Sequence, residues 1–459
     1  MTDSPAVRAP LDPNEQPILD RILTIRDKLS LLKQDRSNYI KSQDVVTLYN
    51  QVNEQVGVLN KIRTTKRTEQ NRVDTVLDDC FQLISLFFLT IGRNQEAPAV
   101  YSAVSTVKRL LDHLKEAGFF LPQDLESIAY NLKKWRESVQ RGKSDHSPHL
   151  MTLLEARIDV CDATLNELQT HLSQLDPDTM GTYEKLVSIL RSLSACNTRS
   201  KFPVNEVKDL QQQLFQIGDE LHESSVEHAG KTAEQVYADK LAQLRLGREN
   251  RMEIVLEKNG KIDERFQDTY DKLVKIRNQL DQMNLTQAWS LRETDLYSFQ
   301  RQLDRVDEAR VDGNFLDAEG KPADIHAQRT LLYLLRKSYA YIYQYIVNSE
   351  PVSEALLPIY NQLLTLKRCL VEVKRAGGVD SPRELYPYSM KLNSIDNMKK
   401  DGKFMVGNDI PEGQGSVTAL LAECFELAYD LRTEAEEREE EEEVQTPEAV
   451  EVNGVGSKE

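Results

Sequence analysis

Apolar residues recur at spacings of three and four along nearly the whole chain, and that period limits what the chain can become. The run Leu332, Leu335, Tyr339, Ile342, Ile346 shows it plainly. A half-buried strand needs alternation every second residue between tight turns, and no stretch supplies it. Gly and Pro number 19 and 16 in 459 residues, too few for a chain of many hairpins. The fold class expected is all-α, with roughly twelve helices. Ser381-Pro382-Arg383-Glu384 marks one helix start, because serine can cap, proline suits the first helical position and Glu384 can close a capping box.

The helices are related to one another. Leu19–Leu29 reads LDRILTIRDKL, Tyr183–Leu193 reads YEKLVSILRSL and Tyr270–Leu280 reads YDKLVKIRNQL. At the shift that sets the first on the third, Asp44, Val45, Leu48, Gln51 and Val52 fall on Asp295, Leu296, Phe299, Gln302 and Leu303. At a slightly larger shift VKRLLDHLKEAG (Val107–Gly118) falls on LKRCLVEVKRAG (Leu366–Gly377), and Tyr101 on Tyr360. Residues 18–141 and 269–400 therefore read as diverged copies of one helical unit, with a partial third copy over 180–222. Helical hairpins of this kind need neighbours to cover their apolar faces, so either packed bundles or an elongated array is expected. The expected division is a disordered Pro-rich start (1–14), helical unit 1 (15–142), a middle region (143–260), helical unit 2 (261–432) and a disordered acidic tail (433–459).

Charge and cysteine usage narrow the function classes. The formal net charge is −16. From Thr433 onward eleven Glu face Arg438 and Lys458, which leaves about −7 on the body. Nucleic-acid binding without sequence preference needs a basic footprint, and the chain as a whole has none. The stretch 61–72 (KIRTTKRTEQNR) is basic, and reads either as a solvated helix end or as a contact for an acidic partner. Phe81–Ile91 is the most apolar run, too short to span a bilayer and read as a buried core helix. Membrane-surface binding would need an amphipathic helix with a basic face, and none is evident. Five dispersed cysteines without a C-x-x-C pair suit a reducing compartment, cytoplasm or nucleus.

The stretch Leu364–Leu427 contains LKRCLVEVKRAGGVDSPRELYPYSMKLNSID and DGKFMVGNDIPEGQGSVTALLAECFEL. It resembles a fungal family of uncharacterised proteins, family 0662, over most of the chain. The resemblance implies a fungal cytosolic or nuclear protein and supplies no catalytic residue.

Chemistry has few footholds. His146 and His149 form the one close histidine pair, with Asp145 beside them, in a Pro-containing loop that reads as solvated. Cys80, Cys369 and Cys424 sit beside apolar residues, where burial makes a thiol inert. No G-x-S-x-G elbow or H-E-x-x-H pair occurs. The helix with Tyr333, Tyr339, Tyr341, Tyr343 and Tyr345 offers Tyr341 and Tyr345 as a flanking stripe. That stripe is either a partner face or a second buried side with hydroxyls at its rim. The loop Met405–Thr418 is the candidate anion site: Gly407, Gly413 and Gly415 permit close backbone approach, and Ser416 and Thr418 open the next helix. Lys399, Lys400 and Lys403 add positive charge, with Arg383 and Lys391 upstream; Asp409 and Glu412 oppose it. No Lys follows Gly415, so this is not a Walker A loop, and the competing reading is an ordered connector with Ser416 as helix cap.

The function expected is a non-enzymatic interaction or scaffold protein without catalytic, metal or cofactor residues. It would bind other proteins, but neither nucleic acid nor membrane, through helical surfaces and its acidic tail. The alternative is a phospho-ligand or anion-binding protein centred on the Gly-rich loop. Charge alone predicts that truncation after Thr433 leaves the melting temperature nearly unchanged, a result thermal denaturation would register directly.

Overall fold

The computed structural model describes residues 9–10, 12–64, 70–173, 175, 177–227, 254–286 and 291–445. Its helices are α1 (Gln16–Gln34), α2 (Ser42–Arg63), α3 (Arg72–Thr90), α4 (Val100–Ala117), α5 (Pro122–Arg141), α6 (Pro148–Ser173), α7 (Pro177–Cys196) and α8 (Val204–Glu227). They continue as α9 (Gln267–Thr286), α10 (Leu296–Glu308), α11 (Ile325–Val347), α12 (Leu357–Arg375), α13 (Tyr386–Asp396) and α14 (Gln414–Gln445). Among the described residues the extended pairings are isolated bridges such as Val311–Asn314 and Lys400–Lys403, so the fold is all-α. No described helix is long and apolar enough to cross a membrane. The apolar run in α3 is buried on all sides, from Asp79 to Thr90.

The helices fall into triplets in which the first packs along the third: α1 on α3, α4 on α6, α9 on α11 and α12 on α14. The second helix leans on the third, as α5 on α6, α10 on α11 and α13 on α14. In the third triplet α7 packs on α8, and residues 228–253 beyond them lie outside the described residues. Helices α1 to α5 and α9 to α13 follow in the same order. The similarity between 18–141 and 269–400 thus sets α1 to α5 on α9 to α13, and the 180–222 match sets α1 and α2 on α7 and α8.

The chain divides into two compact units. The first takes in the described residues as far as Glu350, apart from Tyr39–Ser42 and Ile91–Arg93; those two segments and the chain from Pro351 form the second. The expected break at 142/143 falls inside the second triplet, and the observed division at 350/351 falls inside the expected unit 261–432. Composition could not reveal these joints, because the polar breaks within triplets look like those between them. The second unit has its own core, built on Leu363, Leu370, Leu385, Leu392, Phe404 and Leu431.

Two expectations about the ends need correction. Within the expected disordered start, Asp12 accepts from the Asn14 N–H at a 3-10 turn, Pro13–Glu15. At the other end α14 runs through the glutamate series to Gln445. Ala435 is buried, Lys374 pairs with Glu434 at 3.1 Å, and Arg438 donates to the Gly377 carbonyl at 2.9 Å. Glutamate is a good helix former, and the stripe through Leu431 and Ala435 still faces the core. Residues 446–459 lie outside the described residues. Truncation after Thr433 removes these contacts and is now expected to lower the melting temperature. Ser381 does cap its turn, accepting from Arg383 N–H before α13 begins.

Part of the basic stretch 61–72 is used internally. Arg63 binds Glu15 through two nitrogens at 2.8 Å and Asp74 at 2.6 Å, and Asn71 also donates to Glu15. Residues 65–69 lie outside the described residues. The Arg63 hydrogen bonds, opposed by burial, hold the Glu15 carboxyl below its ordinary value. Its contribution to stability is present above that ordinary value and is lost as pH falls through the lowered one. Glu15→Ala should cost about 3 kcal/mol, the scale for breaking a buried pair. In acid titrations followed by circular dichroism, Glu15→Gln should lack the part of the wild-type stability loss that sets in below the ordinary carboxylate value.

Candidate functional site

The Gly-rich loop is a connector with an internal lock. Lys400–Lys403 closes a tight turn through Asp401 and Gly402, both at positive φ, and Phe404 then enters the core. The Gln414 side chain holds Phe404 at two points: Oε1 accepts from the Phe404 N–H (3.0 Å) and Nε2 donates to the Phe404 carbonyl (2.7 Å). A Cβ on Gly413 would lie 2.7 Å from Val352 Cα, so this glycine is needed for close packing. Gly407 sits at φ 64 in open space, and Gly415 lies within the first turn of α14. The helix starts before Ser416, which therefore is not its cap; its hydroxyl faces the Pro351 carbonyl at 3.5 Å. Thr418, Lys400, Lys403, Arg383 and Lys391 are exposed. Lys399 pairs with Asp396 (2.8 Å) and lies over the Phe404 ring. Asp409 accepts from Tyr39, and Glu412 pairs with Arg93. The structure thus brings Lys399 to the loop's aromatic anchor and does not gather the three lysines around a cleft.

The same lock occurs once more. Arg310 pairs with Asp307 (2.8 Å) and lies over Phe315, after which Gln328 Oε1 accepts from the Phe315 N–H (2.9 Å) and its Nε2 donates to the carbonyl (3.0 Å). Its sequence signature, Asp307, Arg310, Asp312-Gly313, Phe315, recurs as Asp396, Lys399, Asp401-Gly402, Phe404, a second internal similarity that passed unnoticed in the sequence.

The tyrosine flank is also occupied from within. Tyr341 donates to Asp281 and Tyr345 to the Leu280 carbonyl, each at 2.6 Å, so both lie against α9. Cys80, Cys161, Cys196 and Cys424 are buried, and burial pushes Cys161 up to about 12 and Cys196 and Cys424 to about 11. Cys369 departs from expectation and is exposed. The core stripe of α12 runs through Leu363 and Leu370, which leaves Cys369 on the outer side. No group of three or more His, Cys, Asp or Glu among the described residues is placed to hold a metal.

Two cavity systems in the first unit differ in how their charges are matched. One, of about 550 Å³, is lined by Arg109, Arg157, Arg301, Asp78 and Asp304. Every arginine there has a carboxylate: Arg157 with Asp78 (2.8 Å), Arg301 with Asp79 (3.0 Å) and Arg109 with Asp307 (3.1 Å). Tyr101 and Tyr339 donate to Asp78 and Asp304. Burial pushes Asp79 and Asp304 up, against the pull of the arginines. This network is internally closed.

The other system is a groove between α7 and α11, formed by two cavities of about 530 and 540 Å³ that share Arg191, Tyr333 and Arg336. Helix α11 contributes Arg329, Arg336 and Lys337, and α7 contributes Arg191. Arg191 is bonded to Asp124. Arg329 and Arg336 are half-buried and make no hydrogen bond or ion pair among the described residues. Burial lowers both guanidinium pKa values, and the charge of Arg191 lowers that of Arg336 further, opposed in part by the charge of Asp124. Two other carboxylates line the groove: Glu116, which Arg310 holds, and exposed Asp312. A guanidinium offers a planar fork of N–H donors that suits carboxylate or phosphoryl oxygens. The sequence did carry a signal for this site. Helix α11 has two arginines, one lysine and no carboxylate over its 23 residues, in a chain with 74 Asp and Glu.

The chain is similar to proteins of two fungi. A family model described as "Protein of unknown function (DUF2408)" matches residues 172–293 and 349–448, the second of which includes the Leu364–Leu427 stretch. A CUB1 family protein of Schizosaccharomyces pombe is 38% identical over 456 residues, covering 96% of this chain and 97% of its own. "Cu(2+) suppressing and bleomycin sensitive protein 1" of Saccharomyces cerevisiae is 37% identical over 503 residues, covering 92% and 91%. No solved structure matches the chain.

If the loop is a lock, its glutamine matters and its outer lysines do not. Gln414→Leu should cost about 2 kcal/mol, because both backbone groups of Phe404 lose their partner, and Gln328→Leu about 1 kcal/mol, because the Phe315 carbonyl keeps the Ala323 N–H. Lys400→Ala with Lys403→Ala should stay within about 0.5 kcal/mol. Urea denaturation of the three proteins distinguishes the cases.

Proposed function

The chain belongs to the CUB1 family of fungal proteins, and on that footing we propose that it is a non-enzymatic helical-repeat binding protein of the cytoplasm or nucleus, whose recognition site is the anion-binding groove between α7 and α11. The observation that carries this reading is the pair Arg329 and Arg336, which line a groove and make no hydrogen bond or ion pair among the described residues, Asp124 acting on Arg336 through its charge alone. A partly desolvated cation with no partner is costly to the folded state, by several kcal/mol in the interior. Such a cost is retained where a ligand offsets it, since binding residues are often suboptimal for stability. In the cavity around Arg301, by contrast, the guanidinium group is paired with Asp79 and Asp304.

The Gly-rich loop is no longer needed for the anion-binding reading, which moves to the groove. Scaffolding remains the broader role, since tandem helical units present extended surfaces and bind through them.

The test compares thermal denaturation in pyrophosphate and in chloride at equal ionic strength. Pyrophosphate should raise the wild-type melting temperature; at about a hundredfold excess over Kd the gain is about 2.7 kcal/mol. The Arg329→Gln/Arg336→Gln protein should show no such gain, while its own melting temperature stays the same or rises. An equal response in both proteins, or a large loss of unliganded stability in the variant, would remove the basis of the proposal.

A further inference from the structure

The groove is too long for a single small anion. Residues of α11 from Ile325 to Gln344 line it in succession, a length of about 28 Å at the α-helical rise. Arg329 and Arg336 are seven residues apart on that helix, which places them on one stripe about 10.5 Å from each other. Beside them the lining has apolar walls, Val187, Leu190 and Leu332 at one end and Leu110, Leu114 and Ile128 at the other, with the carboxylates Glu116, Asp312 and Asp124 set among them, the first held by Arg310 and the last by Arg191. Positive charge on a stripe beside an apolar floor is the complement of an amphipathic segment with acidic residues on its flank.

We infer that the groove between α7 and α11 docks an acidic amphipathic helix of a partner protein, with two carboxylates one about 10 Å from the other meeting Arg329 and Arg336. This inference rests on the anion-binding reading above. A helix fits for two reasons. Acidic residues seven apart on the incoming helix share the period of the arginines on α11. An extended peptide would leave backbone N–H and C=O groups facing helical walls whose own backbone groups are already bonded. Arg191 stands across the groove on α7, held by Asp124, and Lys337 marks the second cavity. The net charge of −16 disfavours dense polyanions such as nucleic acid more than a segment with two acidic side chains, whose repulsion is screened beyond about 8 Å.

Fluorescence anisotropy with labelled host peptides of about 20 residues, long enough to form helix, tests the assignment. One Ala/Leu/Gln peptide carries Glu at positions seven apart beside a leucine stripe. A second has the same composition with one Glu moved to the opposite face, and a third has Gln for both. The matched peptide should bind wild type at least about tenfold tighter than either control, a difference of about 1.4 kcal/mol. That advantage should disappear in Arg329→Gln/Arg336→Gln. Equal binding of all three peptides, or an advantage that survives in the variant, overturns the inference. So does a single-stranded oligonucleotide or an anionic vesicle that binds more tightly through the same arginines. If pyrophosphate stabilises wild type while peptide spacing is irrelevant, the helix-docking inference fails and the anion-binding proposal stands. If neither binds, both fall.

Discussion

The pairing of the first helix of each triplet with the third is the contact on which the remaining structure is arranged. Each such pair buries an apolar stripe repeated every three or four residues, as in α1 through Ile18, Ile22, Ile25 and Leu29. Burial of a side chain of this size contributes about 1.5–3 kcal/mol relative to exposure, so a pair of four-turn helices outweighs what any single polar contact supplies. The second helix is then free to cross over the third, and the connectors around it must be fixed by other means. Where α11 has packed along α9 and against α4, its remaining side approaches α7 without closing on it. The groove occupies that opening.

Much of this was legible in the sequence, and the failures have physical causes. The helical period and the order of related segments read through directly, because both depend on local spacing. The grouping into triplets did not, because it depends on which helices pack together, and a match such as Tyr183–Leu193 with Tyr270–Leu280 gives the order of related segments without their contacts. The acidic end was misjudged on charge. Its glutamates are good helix formers, and Ala435 and Arg438 tie the helix to buried and backbone partners. The glycines of 405–418 suggested ligand approach, yet Gly413 is required by the Val352 backbone. Nothing in the spacing announced that Gln414, ten residues beyond Phe404, would hold it.

Arginine has two opposite uses in the first unit. Around Arg109, Arg157 and Arg301 carboxylates match guanidinium groups, and tyrosine hydroxyls complete the shell. Along α11 the guanidinium groups of Arg329 and Arg336 are partly desolvated and form no ion pair among the described residues, with Asp124 acting on Arg336 through its charge alone. A helix of 23 residues without a carboxylate cannot neutralise them from within, since neighbours three and four residues away are the groups a helix offers itself. The unmatched charge therefore follows from the composition of one helix, while the matched network requires carboxylates from several.

The glutamine locks have a consequence beyond the turns they close. A segment such as Lys403–Val406 or Asn314–Leu316 is extended and begins to pair like a strand, but each bridge stops after a single pair. An unpaired strand edge invites addition of a foreign strand. Here the carboxamides of Gln328 and Gln414 take the N–H and C=O that a neighbouring strand would have taken at Phe315 and Phe404. A side chain thus stands in for a missing strand, and an all-helical protein keeps two short extended segments without offering a template for aggregation.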